Sequence, residues 1–284
     1  MLVGGRQLRQ IMKSKHRIVS LAPSATSILC AIGARHLLVA VTKWCKDVAS
    51  VGGLPQLGDC WHMDSVEKIL ALQPTLVVGS VPYKQETLAK LLESPLTFLA
   101  MNPRTLADVY GDIRLLGDIA KRDAGAVRLI NKMRTEFSQI AKRSRSGARP
   151  VRVYCEAWPN PRISSPPWVA ELVAICGGEM VVPAGERVSD EAVAAANPEA
   201  MVLAWAAVGA KSKPEKSYQV AAWREVAAIR DRRVVAIPDE LLNTPGPPLI
   251  IGARRLWDAL HGNRRAPKKR PPDGNAAMCE GTQK

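Results

Sequence analysis

The sequence predicts an α/β protein of two Rossmann-like lobes, each built on a mostly parallel sheet, joined by a long backbone helix. Short apolar runs of strand character alternate with amphipathic helical stretches in both halves of the chain, the pattern of parallel sheets covered by helices. Between the halves, residues 105 to 145 keep helical periodicity with almost no breakers. One unit also occurs twice. In SVEKILALQPTLVVG and SDEAVAAANPEAMVLA a glutamate (Glu67, Glu191) opens a short helix, a proline (Pro74, Pro198) follows seven residues later, and a buried strand comes next.

The elements follow in order. RIVSLAP (17 to 23) reads as a buried strand ending at proline, and SATSILCAIGA (24 to 34) as a helix capped by Ser24 and closed by Gly33. LLVAVT (37 to 42) is the second strand. A loop then sets Trp61, His62 and Met63 side by side before a helix at 64 to 73, led by Asp64 and Ser65 and stopped by Pro74. A strand at 75 to 80, a helix at 84 to 93 and a strand at 96 to 101 complete a first lobe of residues 17 to 104. The connector, 105 to 146, is apolar at Val109, Ile113, Leu116, Ile119, Val127, Ile130, Met133, Phe137 and Ile140. A helix of about twenty-five residues there would be a strut roughly 38 Å long. The break SGARP (146 to 150) leads into a second lobe, 147 to 262, with strands at 151 to 157, 200 to 205 and 233 to 238. Its helices are expected at 167 to 177, 189 to 196, 218 to 228 and 248 to 261.

Composition narrows the function classes. A chain of 284 residues, 47% apolar, can bury a large core, and no apolar run reaches the eighteen or so residues of a membrane span, so a soluble chain is expected. The charge of +14 sits mostly at the ends. Residues 1 to 17 carry five basic and no acidic side chains, and 263 to 284 carry six basic and two acidic, which leaves +5 for the body. We read 1 to 16 and 263 to 284 as disordered, solubilising tails with no specific nucleic-acid partner. The six cysteines form no CxxC pair, and Cys30 and Cys176 lie in apolar helical runs that suit small buried hydrophobes. No apolar signal segment follows the basic N-terminus, so a cytoplasmic location is expected, or a periplasmic one if the true start differs.

In open parallel sheets ligands gather at the carboxyl ends of strands, and four tryptophans fall there: Trp44, Trp61, Trp158 and Trp205. Trp168, Trp223 and Trp257 lie within helical stretches and are assigned to the core. His62 could ligate a metal or serve as an ordinary loop histidine, and a zinc site from Cys45, Cys60 and His62 lacks a fourth ligand. No Walker loop, GxGxxG, GxSxG or HExxH is present, so no catalytic residue, resident metal or cofactor is assigned and an enzyme is not expected.

From about Arg17 to Gly262 the chain resembles the cobalamin (vitamin B12) periplasmic binding proteins of ABC importers, within the helical-backbone (class III) solute-binding family. The resemblance rests on RIVSLAPSATSILCAIGA, on Trp61, Met63 and Glu67 followed by ALQPTLVV, on WVAELVAICGGE (168 to 179) and on VSDEAVAAANPEAMVLAW (188 to 205). It implies a monomer that pinches a corrinoid between aromatic rings, Trp44 and Trp61 from one lobe, Trp158 and Trp205 from the other, without turnover. It places His62 on the same loop and Asn243, in the turn NTPGPPLI, as a polar contact. Glu67 and Glu191 match the acidic pair that docks onto arginines of the importer's membrane subunits. A ferric siderophore or haem is the alternative ligand, and a corrinoid-holding protein of the cytoplasm, uncoupled from transport, the alternative role.

Overall fold

A computed structural model of the protein describes residues 16–63, 65–144, 149–206 and 213–262. Apart from His16 the basic tails lie outside the described residues, as does Asp64, the expected leader of the second helix. The first sheet has strands β1 (Ile18–Ser20), β2 (Leu38–Thr42), β3 (Gln56–Leu57), β4 (Leu76–Ser80) and β5 (Phe98–Met101) in the order β3-β2-β1-β4-β5. Every pairing is parallel. Val19, Val77 and Val78 are fully buried, as expected of central strands covered on both faces. The covering helices of this lobe are α1 (Pro23–Ala31), α2 (Val66–Leu70) and α3 (Gln85–Glu93). Because all the strands run one way, Ser20, Thr42, Leu57, Ser80 and Met101 end along a single edge.

Helix α1 begins one residue earlier than expected, and Ser24 does not cap it. Pro23 occupies the first turn, where its missing N–H costs nothing, and the cap position is Ala22. Gly33 follows the helix at φ 83°, as the sequence requires.

The expected helical connector holds two helices, α4 (Leu106–Ala120) and α5 (Asp123–Ser144), the second being the long backbone helix. Thr105 and Asp108 form a capping box at the start of α4, and Lys121, in the left-handed conformation, ends it. The chain then packs α5 against α4 where Gly117 admits Ala126. A Cβ at position 117 would stand 2.6 Å from that of Ala126. Helix α5 itself has 22 residues, about 33 Å of rise.

The second sheet comprises β6 (Val151–Pro159), β7 (Arg162–Ser164), β8 (Gly178–Met180), β9 (Ala200–Leu203) and β10 (Val234–Ala236), ordered β10-β9-β6-β7 with β8 also on β6. All pair in parallel except β7, which returns antiparallel on β6. The helices of this lobe are α6 (Pro167–Ile175), α7 (Asp190–Ala196), α8 (Ala227–Arg230), α9 (Asp239–Leu242) and α10 (Leu249–His261). In place of the expected helix at 218 to 228 there are 3-10 turns at Pro214–Gln219 and Ala221–Trp223 and then α8. Trp223 accounts for the difference: its indole donates to the Asp190 carbonyl at 3.0 Å and stands edge-on to Tyr154, so burying this ring sets the path of the chain.

The repeated unit is matched in its helix cap, its turn and its arginine. Ser65 and Ser189 cap α2 and α7, accepting from the amides of Lys68 and Ala192. Each helix is followed by a left-handed residue ahead of its proline, Gln73 at φ 47° and Asn197 at φ 41°. Arg17 Nη2 reaches the Leu72 carbonyl at 2.8 Å, and Arg152 Nη2 the Ala196 carbonyl at 2.6 Å. One core cluster unites the halves, taking Ile28 and Leu29 from α1, Met133 and Phe137 from α5, Leu172 from α6 and Leu256 from α10.

Two outcomes follow. A Cβ on Gly252 would meet the Leu241 carbonyl oxygen at 1.9 Å, so Gly252→Val should lower stability by about 1–3 kcal/mol, measured by urea denaturation. On α4, burial first and then the charge of Asp108 push the Asp112 carboxyl up to about 6. The folded protein therefore binds more protons there than the unfolded chain between the ordinary value of 3.8 and about 6, and stability falls as pH rises through that window. Asp112→Asn should flatten that slope in pH-resolved thermal unfolding.

Candidate functional site

Trp44 sits on the 3-10 turn Lys43–Asp47 that continues β2, half-buried, with the Lys43 ammonium 4.7 Å from its ring centroid. Its indole N–H donates to Asp59 Oδ2 at 3.0 Å. The other Asp59 oxygen accepts from the backbone amides of Trp61 at 2.9 Å and His62 at 2.7 Å. One carboxylate thus draws together two segments fifteen residues apart. The loop sorts its three large side chains. Met63 packs inward on the cluster of Cys60, Ile69 and Leu91, whereas Trp61 is 47% exposed and His62 is exposed beside it. Cys45 and Cys60 are buried in different clusters, and among the described residues no group of three or more His, Cys, Asp or Glu side chains could hold a metal ion.

In the second lobe Trp158, near the end of β6, is 39% exposed and donates to the Asn160 carbonyl at 2.8 Å. Trp205 is a correction: the structure moves it from the cleft wall to the core. It is 6% exposed, packs with Tyr154, Met201 and Trp223, and donates to Glu156 Oε1 at 2.8 Å. An apolar cluster closing behind β9 draws the ring inward. Glu156, fully buried, also accepts from the Tyr154 hydroxyl at 2.7 Å and from Arg162 Nη1 at 2.9 Å. Arg162 bonds Asp190 as well and lies 4.1 Å over the Trp223 ring. Burial works against its charge, but the carboxylates of Asp190 and Glu156 outweigh it and hold its pKa up. Burial, and then the Glu156 charge, push the Tyr154 phenol far above its usual range, so it remains a donor. Asn243 Nδ2 donates to the Ala204 carbonyl at 2.6 Å, bracing the residue before Trp205, while its buried Oδ1 has no partner among the described residues.

Glu67 and Glu191 are each the second residue of their helix, and both are exposed. The Ser65 hydroxyl donates to Glu67 at 2.6 Å and holds that carboxyl below its ordinary value. Of the tryptophans assigned to the core, Trp168 and Trp223 are buried. Trp257 is half-buried between His261 and Arg143.

Sequence reading missed Asp59 and Glu156. Glu156 had a signal, a lone charge inside the apolar run VRVYCEAW, and Asp59 stands two residues before Trp61. Which ring each carboxylate grips depends on contacts between segments distant in sequence.

A protein family described as periplasmic binding protein matches residues 18–241. The chain is 25% identical over 263 residues to an uncharacterized ABC transporter substrate-binding lipoprotein of Bacillus subtilis (strain 168), covering 88% of this chain and 82% of the relative. It is 26% identical over 255 residues to a vitamin B12-binding protein of Vibrio cholerae, covering 86% and 88%. Among solved structures, the periplasmic vitamin B12-binding protein of Vibrio cholerae aligns at TM-score 0.69 and 23% identity, covering 86% of this chain and 96% of that one. A periplasmic heme-binding protein of Pseudomonas aeruginosa aligns at 0.74 and 21%, covering 86% and 92%. These likenesses show the fold. The expected cytoplasmic location is corrected by the same findings, because the matching family is one of periplasmic binding proteins and the Bacillus relative is a lipoprotein.

Arg162→Ala would leave the Glu156 carboxylate buried without its cation. It should lower stability by about 3–5 kcal/mol in chemical denaturation, well beyond what loss of a surface ion pair costs.

Proposed function

The chain belongs to the periplasmic binding protein family, and from that premise we propose that it captures a corrinoid between its two lobes as the substrate-binding component of an ABC importer. The observation that carries this reading is a pair of exposed indoles, Trp61 and Trp158, at carboxyl strand ends of two different sheets. Large rings left in water at such positions are contact surface for a flat, partly apolar guest. Roughly 100 Å² of each ring remains to be covered, about 2–3 kcal/mol apiece before ordering costs. Trp44 and His62 belong to the same lobe as Trp61, and Asn243, braced on the Ala204 carbonyl, is the polar contact proposed from the other lobe. Binding is the whole activity, with no turnover, and the protein acts as a monomer. The relatives named as vitamin B12-binding proteins favour cobalamin over haem. A ferric siderophore is disfavoured because Arg162, a cation on the candidate edge, is already engaged by Glu156 and Asp190.

Glu67 and Glu191 supply one exposed carboxylate per lobe at equivalent positions of the repeat, which suits two arginine-bearing membrane subunits. Such pairs set register and association rate more than affinity.

Calorimetry with cyanocobalamin, cobinamide, haem and a ferric hydroxamate tests the ligand. Cyanocobalamin or cobinamide should bind most tightly, and Trp61→Ala should weaken that binding by about 10- to 100-fold, whereas uptake of haem alone would reject the corrinoid assignment. Glu67→Ala and Glu191→Ala should leave corrinoid affinity unchanged and reduce binding to membranes carrying the importer.

A further inference from the structure

We infer that Asp59 is a positioning residue that ties the Trp44 indole to the loop carrying Trp61, so that the two act as one ligand-facing unit. The inference rests on the cleft-binding reading above. Trp44 belongs to the 3-10 turn after β2 and Trp61 to the loop before α2. Among the described residues, the indole bond to Asp59 Oδ2 is the one hydrogen bond or ion pair that joins residues 43–47 to residues 59–63. Both Asp59 oxygens are engaged, one by the indole and one by two backbone amides, and a charged acceptor makes each bond about twice as strong as a neutral one. The loop closes on itself as the Asp59 amide donates to the His62 carbonyl at 3.0 Å, and it is anchored from outside as the Lys84 amide donates to the Cys60 carbonyl at 3.0 Å. The carboxylate is therefore held on a fixed turn, and the two rings are referred to it.

The two oxygens of this side chain have separate tasks, one for the Trp44 indole and one for the loop amides. In Asp59→Asn one amide oxygen can still serve the amides of Trp61 and His62, but the NH2 group then faces the Trp44 indole N–H, donor against donor. That variant releases Trp44 and keeps the loop. Asp59→Ala releases both. Asp59 is half-buried on a loop, so neither change removes a core side chain.

The experiment uses the full chain labelled with 5-fluorotryptophan, with the Trp44 and Trp61 fluorine resonances assigned from Trp44→Phe and Trp61→Phe, without ligand. In Asp59→Asn the Trp44 resonance should move and narrow while Trp61 stays, and in Asp59→Ala both should move. Affinity for whichever of the four probes binds the unaltered protein most tightly should fall about tenfold in Asp59→Asn, equivalent to about 1.4 kcal/mol. An unmoved Trp44 resonance in Asp59→Asn overturns the inference, and so does an unchanged affinity once the ring has moved. Should the unaltered protein take up none of the probes, the cleft-binding reading fails, and the fluorine spectra still decide whether Asp59 holds the rings.

Discussion

Helix α5 has to serve two lobes with one apolar stripe. Met133, Phe137 and Ile140 share a continuous core with α1 of the first lobe and with α6 and α10 of the second, so the lobes are joined through packed side chains as well as through the chain. The approach is close enough to demand glycine: a Cβ on Gly125 would lie 2.5 Å from the Ile32 carbonyl oxygen at the end of α1. Interiors packed this tightly resist continuous deformation. With its support set in this way, each mostly parallel sheet presents the ends of its parallel strands along one edge.

The two edges are braced by the same chemical device used at different depths. In the first lobe the Asp59 carboxylate, half-buried, gathers an indole and two loop amides. In the second lobe Glu156, fully buried, gathers an indole, a phenol and a guanidinium. Depth changes what each brace requires. A half-buried carboxylate keeps part of its hydration and needs only donors, whereas a fully buried one needs a cation, and Arg162 is held against it by Asp190 and Trp223. The second lobe accordingly turns Trp205 into the core and leaves Trp158 exposed.

Much of the architecture was legible because it depends on short-range periodicity. The alternation of strands and helices, the second lobe's repetition of the first, and the glutamate near the start of α2 and of α7 are all written in runs of a dozen residues. The repeat extends to bonds that no periodicity announces, since Arg17 and Arg152 cap the carboxyl ends of equivalent helices from equivalent strand starts. The point at which the helical connector divides was not legible. Lys121 is neither glycine nor proline, and the helix ends there because Gly117 and Ala126 can approach only if the chain turns back.

The sequence by itself determined the two α/β lobes, the connector between them and the placing of aromatic residues at strand ends, because hydrophobic period and turn residues act locally. It could not rank those aromatics. Whether an indole at a strand end is buried or exposed depends on how much apolar surface the neighbouring elements bring to it, and those elements are distant in sequence. Trp205 and Trp158 read alike in one dimension. Tertiary packing closed a cluster around the first and left the second facing water, and it recruited Asp59, Glu156 and Arg162 because buried or ring-gripping polar groups must find partners wherever the fold brings them.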